Sequence, residues 1–164
     1  MKVDKAVERR EAHREALRAG IEKELIPLAK TLGFRRGALK HLAPHDGKCM
    51  VRERGDIDDQ IKFYFFRHTP PMFSIEFWTA PRDNIKKYYE GRIYARPRRW
   101  YQKILVSEPL WFGGHMTAEE GIALAKVRLL ELDHYLKTGE IPDNLSLWHV
   151  PDEETEGLSA GPQS

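Results

Sequence analysis

The stretch QIKFYFFRHTPPMFSIEFWTA, residues 60–80, decides the fold because it predicts a β-hairpin. Its two runs, 60–68 and 72–80, are rich in aromatic and branched residues and alternate in polarity, which is typical of strands. Thr69, Pro70 and Pro71 connect the runs, and a connection of this length would place His68 opposite Met72.

In that register one face of the hairpin is apolar and the other is mixed. Phe65 would pair with Ile75 and Phe63 with Phe77, because side chains alternate between faces with a period of two. The apolar face consists of six large side chains: Ile61, Phe63, Phe65, Phe73, Ile75 and Phe77. The mixed face is a candidate binding surface that a helix, a loop or a ligand could cover, and its candidate residues are Lys62, Tyr64, His68, Glu76 and Trp78.

The mixed face also contains the best candidates for proton transfer. His68 and Glu76 could exchange protons with a substrate near neutral pH, with Tyr64 beside them. However, the predicted register places Tyr64, not His68, opposite Glu76, so we expect His68 to be exposed at the turn. No nucleophile elbow or other hydrolase signature is present, and no catalytic residue is assigned.

Helical periodicity marks the N-terminal part of the chain. Residues 2–18 are dense in charge and predict an exposed helix with opposite charges three residues apart. An apolar stripe then continues along one helical face through Leu17, Ile21, Leu25, Leu28 and Leu32. Pro27 predicts a kink or two consecutive helices, and Gly33 with Phe34 predicts the end of the helix.

A second helix is predicted from Ala118 to about Thr138. Thr117 and Glu120 form the sequence pattern of a capping box, and Gly139 supplies the stop. Residues 140–150 are an apolar return of the chain toward the core. The stripe of this helix is Ile122, Ala125, Leu129, Leu132 and Leu136.

The remaining elements follow from shorter signals. Residues 34–55 predict a strand, a turn at 44–48 and a second strand from about Cys49 to Arg54. We expect a short helix in 84–90 and strands within 98–106 and 110–112. Asp56, Asp58 and Asp59 are interpreted as a turn before a strand.

This order predicts the α+β class, with an antiparallel sheet of about four to six strands and the N-terminal and C-terminal helices packed mainly on one face. Residues 1–150 form a single α+β domain in this interpretation. Residues 151–164, rich in acidic residues, Gly and Ser, are expected to be a disordered acidic tail.

The segment GRIYARPRRWYQK, residues 91–103, combines positive charge with aromatic rings. Residues 86–103 contain seven basic side chains and one acidic side chain, a local charge of +6. Such a surface could bind a protein, an anionic ligand or a nucleic acid, and the acidic tail could shield it. Alternatively it is a protected edge strand with Tyr94, Trp100 and Ile104 inward. The candidate residues are Arg92, Tyr94, Arg96, Arg98, Arg99, Trp100 and Lys103.

Composition excludes several classes of protein. One cysteine, Cys49, excludes an intramolecular disulfide, and no apolar run approaches the roughly 20 residues that span a bilayer. We therefore expect a cytoplasmic protein with no membrane partner. His41 and His45 precede Cys49 at spacings of four, but Pro44 and Gly47 break any helix that would align them, so no metal is expected. Phosphate-binding glycine loops are also missing, so no cofactor is expected.

Three short motifs resemble a group of small bacterial domains of unknown function. They are the LGF sequence followed by basic residues at 31–36, the strand FSIEF at 73–77, and the pair Trp111 and Phe112 before the last helix. The resemblance covers roughly residues 15–148 and implies the same α+β fold, without catalytic residues.

The leading hypothesis from the sequence is a non-enzymatic interaction domain that binds a protein or an anionic ligand through its basic aromatic surface. The alternative is a nucleic-acid-binding protein. A third hypothesis is a small hydrolase or transferase that uses Tyr64, His68 and Glu76.

Overall fold

The computed structural model describes residues 2–40, 47–66, 70–96 and 111–152. Its helices are α1 (Lys2–Gly20), a π-helix (Ile21–Leu25), α2 (Ile26–Thr31) and α3 (Ala118–Thr138). Its strands are β1 (Arg35–Arg36), β2 (Gly47–Arg54), β3 (Ile57–Phe65), β4 (Met72–Pro81), β5 (Tyr89–Ile93), β6 (Phe112–Gly113) and β7 (Leu145–His149).

All seven strands of the described residues belong to one sheet, in which every pairing is antiparallel. The order across the sheet is β1-β2-β3-β4-β5-β7, and β6 pairs with β4. The predicted α+β class is confirmed. The described residues contain more strands than the sequence suggests, because β5 and β7 form where a short helix and an apolar return of the chain were expected.

The N-terminal helical region changes its hydrogen bonding just before Pro27. Proline has no N–H to donate to the preceding turn, and its ring crowds the carbonyl four residues back. The turn before it is a π-helix, in which the Ile26 N–H donates to the Ile21 carbonyl oxygen. The predicted interruption is therefore confirmed, as an α-helix, a π-helix and a second α-helix in series.

The apolar stripe of this region faces the sheet. Leu17, Ile21 and Leu25 are fully buried in the core. Gly33 ends the helix with a φ of 91°, and the Phe34 N–H folds back to donate to the Ala29 carbonyl oxygen at 3.0 Å. The predicted stop is confirmed.

The hairpin of β3 and β4 forms the centre of the core. All six apolar side chains predicted to share a face do so, and the helices cover that face. Five of the six are buried, and Phe65 is half-buried and packs against them. Full burial of each such side chain contributes about 1.5–3 kcal/mol, so the hairpin dominates the core.

The predicted register of this hairpin is wrong by two residues. Phe65 lies opposite Phe73, and Phe63 lies opposite Ile75. Strand β3 ends at Phe65, so the connection to β4 is longer than the three residues assumed. A shift of two leaves every side chain on its predicted face, because the side-chain period is also two.

Residues 84–90 do not form the predicted short helix. The chain turns after β4 and enters β5 at Tyr89, where pairing with β4 on one side and β7 on the other outweighs local propensity. The strand predicted within 98–106 lies outside the described residues. Of the strand predicted at 110–112, Phe112 belongs to β6, and residue 110 lies outside the described residues. The two strands predicted within 34–55 correspond to β1 and β2, although β2 begins at Gly47, inside the predicted turn at 44–48.

The last helix matches its prediction from end to end. The Thr117 hydroxyl accepts from the Glu120 N–H, the Glu120 carboxylate accepts from the Thr117 N–H, and Gly139 ends the helix with a φ of 77°. The apolar return after it forms β7, which pairs with β5. None of the helices among the described residues is long and apolar enough to cross a membrane.

Candidate binding surface

The sheet has an outer face, on the side opposite the helices, that carries Lys62, Tyr64, Glu76, Trp78 and Arg92. The residues of β4 and β5 that face the helices, such as Ile75 and Ile93, alternate with these. The predicted mixed face of the hairpin is thus one continuous surface with the outer side of β5.

An ion pair lies at the centre of the outer face. Glu76 and Arg92 are opposite each other on β4 and β5, and the Arg92 Nη2 donates to Glu76 Oε1 at 2.6 Å. The Ser74 hydroxyl donates to the same oxygen at 3.3 Å. Both charged side chains are mostly buried, with 15% and 17% exposed. The carboxylate therefore has two donors and little contact with water.

Three aromatic rings surround the Arg92 guanidinium, and we call them the aromatic cage. The guanidinium carbon lies 5.4 Å from the ring centre of Phe66, 4.6 Å from that of Trp111 and 4.5 Å from that of Trp148. Each contact of this kind contributes roughly 0.5–2 kcal/mol, more when water is excluded. Arg92 Nε is buried and has no hydrogen-bond partner within the described part of the chain. Arg92 is therefore held by the Glu76 carboxylate and by the faces of three rings.

The aromatic row continues on both sides of the cage. Tyr64 meets Phe66 edge to face with ring centres 5.4 Å apart, and the Lys62 ammonium lies 4.7 Å from the Tyr64 ring centre. On the other side Tyr94 packs on Trp111 at 5.3 Å. Together these contacts form a row of aromatic rings, in which Lys62 and Arg92 lie against ring faces.

A second stack lies at the other end of the face. Trp78 stacks on Tyr88 with ring centres 6.1 Å apart, and Tyr88 stacks on His149 at 3.7 Å with nearly parallel planes. His149 Nδ1 lies 2.8 Å from the Tyr88 carbonyl oxygen, which fixes the imidazole in the stack. This histidine has a structural role.

Cys49 lies on the same face, opposite Lys62 on the neighbouring strand. Burial raises the pKa of the Cys49 thiol, and the Lys62 ammonium partly opposes that rise. The thiol is therefore largely protonated at neutral pH, which is typical of an unreactive cysteine.

The structure divides the predicted basic aromatic surface. Arg92 and Tyr94 are packed into the aromatic cluster, and Arg96 is exposed just beyond β5. Four other predicted members lie outside the described residues: Arg98, Arg99, Trp100 and Lys103.

The alternative of a protected edge strand also falls mostly outside the described residues. Its one described member, Tyr94, is buried on the outer face, not among the residues that face the helices. The adjoining β5 pairs on both sides, so it is not an edge strand.

The predicted mixed face is assembled with one change. Lys62, Tyr64 and Trp78 share the face with Glu76, but Lys62 is opposite Glu76 and Tyr64 is opposite Ser74. The expectation that Tyr64 lies opposite Glu76 is wrong, for the reason given for the hairpin register. His68 lies outside the described residues.

The sequence interpretation missed two members of the cage, Trp111 and Trp148. They follow Arg92 by long stretches of chain and reach it only because β6 and β7 join the same sheet. Trp148 had a usable signal: it alternates with Leu145 and Leu147, which face the core.

A buried ionic cluster at the edge of the core was also missed. Asp59 is fully buried and accepts from Arg52 at 2.7 Å, from Arg54 at 3.1 Å and from the Thr79 hydroxyl at 2.7 Å. Arg52 also donates to Asp133 of α3 at 2.5 Å. The interpretation of Asp58 and Asp59 as turn residues is wrong, since both belong to β3 and only Asp56 lies in the turn.

Within the described ranges, no group of three or more His, Cys, Asp or Glu side chains is arranged to hold a metal ion. His41 and His45 fall outside those ranges.

No protein-family model, curated protein or solved structure matches this chain. The fold and the outer face are therefore interpreted from their own geometry.

Proposed function

We propose that this chain is a non-enzymatic interaction domain whose outer face binds a protein partner through anionic groups on that partner. The proposal rests on one observation above others, the aromatic cage that surrounds Arg92. Buried arginine and aromatic side chains in rigid surroundings are the residues that most often dominate protein interfaces.

Trp148 is the natural anchor of such an interface. Its side chain belongs to the cage, yet 47% of the residue remains exposed. A partner that covered it would bury apolar area without having to order the ring first, because Arg92 and the strand already fix it. Lys62 and Arg96 would attract acidic side chains to the border of the same area.

Binding of nucleic acid is the second candidate. Arg96 is exposed where the chain leaves β5 toward further arginines, and exposed rings could stack on bases. Arg92 supports this candidate less, because its charge is already neutralised by Glu76. Phosphate binding would therefore depend on other cations.

A hydrolase or transferase that uses Tyr64, His68 and Glu76 has the least support. The Oε1 atom of Glu76 already accepts from Arg92 and Ser74, so this oxygen is occupied within the protein. A cytoplasmic location and a relationship to the small bacterial domains belong to the proposal as well. They are supported by the single cysteine and by the three short motifs.

Selection from a random peptide display library tests the proposal. We expect the wild-type protein to enrich peptides that combine Asp or Glu with an apolar residue. Synthetic copies of them should bind about ten-fold more weakly to Trp148→Ala, by the loss of one interface anchor. Val127→Ala is the matched control, since Val127 is equally exposed but lies on α3.

Salt dependence separates the two candidates. An oligothymidine strand should bind weakly at low salt and lose that binding steeply as salt rises, whereas the selected peptides should be less sensitive. Peptides that bind Trp148→Ala as tightly as the wild-type protein would contradict the proposed surface. Tighter binding of the oligothymidine than of every selected peptide would favour the nucleic-acid function instead.

A further inference from the structure

The side of α3 that points away from the sheet carries exposed apolar side chains. Val127 and Leu130 are 50% and 48% exposed, and Ile141, just after the helix, is 57% exposed. Six large apolar residues are exposed within the described ranges, and three of them are these neighbours. A single exposed apolar residue is normal on a protein surface, but a cluster of them is typical of an interaction surface.

The exposed residues on this side of α3 follow the spacing of a coiled-coil seam. They are separated alternately by three and four residues, which keeps them in one line along the helix. We call them the exposed stripe of α3, and they are Glu120, Ala123, Val127, Leu130, His134 and Lys137. The buried stripe, which begins at Ile122, faces the core instead. Helix α3 therefore has two lines suited to packing, and the described residues cover one of them.

A groove of about 370 Å³ lies beside the exposed stripe. It is bounded by Leu130 and His134 of α3, and by Ile141 and Pro142 of the segment that follows. Side chains that project from a second helix could enter this groove, as knobs enter holes between packed helices. The shape of the surface therefore suits a helical partner.

The order of residues along the exposed stripe is complementary to its own reverse. When two copies of α3 pack antiparallel, with the twofold axis between Val127 and Leu130, each of these side chains lies opposite the other one in the second copy. The same register places Ala123 opposite His134, so a small side chain meets a large one. A parallel pair in register would instead place every residue opposite its own copy.

The charged ends of the exposed stripe favour the same orientation. Glu120 is in the first turn of α3 and Lys137 is in the last, so an antiparallel pair brings opposite charges together at both ends. Glu120 accepts from the Thr117 N–H through Oε2, and Lys137 donates to Asp133. A carboxylate can accept from several donors and an ammonium has three protons, so neither existing contact has to break.

We propose that this protein forms a symmetric dimer in which the exposed stripes of two α3 helices pack antiparallel. The same surface is used by both copies, so the contact closes on itself and does not lead to a chain of molecules. The outer face of the sheet lies on the side opposite the helices, so the dimer leaves both aromatic cages accessible. Two linked binding faces would increase the avidity for a partner that has two sites.

Sedimentation equilibrium of the full chain tests whether the dimer forms. We expect the apparent mass to rise from monomer toward dimer as the concentration is raised to about 1 mM. Leu130→Asp places a charge at the centre of the contact and should raise the dissociation constant by about ten-fold or more. Val7→Asp is the matched control, because Val7 is 55% exposed but lies on α1, and it should leave the dimer unchanged.

Disulfide cross-linking tests the orientation of the two helices. In a Cys49→Ser background, Ala123→Cys and His134→Cys each place one thiol on the exposed stripe. A mixture of the two variants should form cross-linked dimers under mild oxidation, because residue 123 of one copy lies opposite residue 134 of the other. Each variant alone should cross-link much more slowly. Its two thiols would be about 17 Å apart along the helix axis, too far for a disulfide.

Three results would overturn the proposal. They are a monomeric mass at every concentration up to about 1 mM, equal loss of the dimer in Leu130→Asp and Val7→Asp, and cross-linking of each single variant as fast as that of the mixture. Trp148→Ala separates this dimer from the proposed function, since it should weaken peptide binding and leave the dimer unchanged. Loss of the dimer in Trp148→Ala would also overturn the proposal, because the copies would then meet through the outer face.

Discussion

Asp59 shows what a single residue contributes that its sequence neighbours do not reveal. It lies two positions from Ile57 and Ile61 in the strand, so it shares their helix-facing side of β3, and this pattern was available from the sequence. Its partners were not, because Arg52 and Arg54 belong to β2 and Thr79 belongs to β4. The periodicity of the strand predicts that this carboxylate is buried, but only the folded structure shows which cations pair with it.

Replacement of Asp59 by Asn should strongly destabilise the protein. The change removes the carboxylate that Arg52 and Arg54 share, so the two guanidinium groups remain close together at the edge of the core with only the Asp133 contact of Arg52 to offset them. Loss of one member of a buried ion pair costs about 3–5 kcal/mol. Urea unfolding followed by circular dichroism measures the free energy of unfolding, and we expect a loss of about 3 kcal/mol or more.

Asp58→Asn is the matched control. Asp58 is the preceding residue of β3 and pairs with Arg82, 2.8 Å away, whose side chain is about half exposed. Exposed ion pairs contribute about 1 kcal/mol or less, so this variant should unfold close to the wild-type midpoint. Equal losses from the two variants would mean that the buried cluster adds nothing beyond an ordinary surface pair.

Elements with strong local signals were predicted well. In the hairpin, the local sequence determines which side chains share a face, but it does not determine the register between the two strands. The faces of β3 and β4 follow from a period of two within each strand. Their register depends on where pairing stops, and β3 stops at Phe65. The Phe66 N–H donates to the Met72 carbonyl oxygen at 3.1 Å, although Phe66 lies beyond the last residue of β3. Loop length is set by such contacts, which the sequence does not display.

The capping box of α3 provides a test at the level of one element. Thr117→Ala removes the hydroxyl that accepts from the Glu120 N–H at 3.1 Å. Loss of an N-cap side chain typically costs about 1 kcal/mol, and we expect that loss in the free energy of unfolding, measured in urea.

Glu120→Ala and Glu119→Ala form a matched pair for the other half of the box. Both remove one acidic side chain from the first turn of α3, so both change the interaction with the helix dipole alike. Only Glu120 accepts from the Thr117 N–H, at 2.9 Å. Glu120→Ala should therefore cost about 0.5–1 kcal/mol more than Glu119→Ala. If the two costs are the same, the box contributes nothing beyond its charge.

For the whole molecule, the feature that local sequence patterns predict least is the pairing of β7 with β5. These strands are separated along the chain by β6 and α3, so their pairing is a non-local contact. This pairing explains why the helix prediction for residues 84–90 is wrong. The strand that begins at Tyr89 is stabilised by its neighbours β4 and β7, and the local sequence contains no information about them. The pairing also brings Trp148 to Arg92. The basic aromatic segment was identified from composition, but the cage that makes it a candidate site depends on this topology.

Gly91→Ala tests how far the molecule depends on that pairing. Gly91 lies between Phe77 of β4 and Leu147 of β7 in the register. A Cβ at this position would collide with the Ser146 carbonyl oxygen and lie 3.0 Å from Phe77 Cε1. Overpacking of this kind costs about 1–3 kcal/mol. We expect a loss of about 2–3 kcal/mol in urea unfolding and faster amide hydrogen exchange along β7.

Ser146→Ala serves as the comparison, because it keeps the backbone carbonyl that a Gly91 side chain would strike. It should change the free energy of unfolding by about 0.5 kcal/mol or less. Normal protection of the β7 amides in Gly91→Ala would show that β7 tolerates a side chain at that contact.

The position of Cys49 has a practical consequence for the outer face. The sequence contains one thiol, and it lies on that face opposite Lys62. Burial raises the pKa of this thiol, so a maleimide should label it slowly in the free protein, and a partner that covers the outer face should slow labelling further. The rate of labelling would thus report on occupancy of the face without an engineered cysteine.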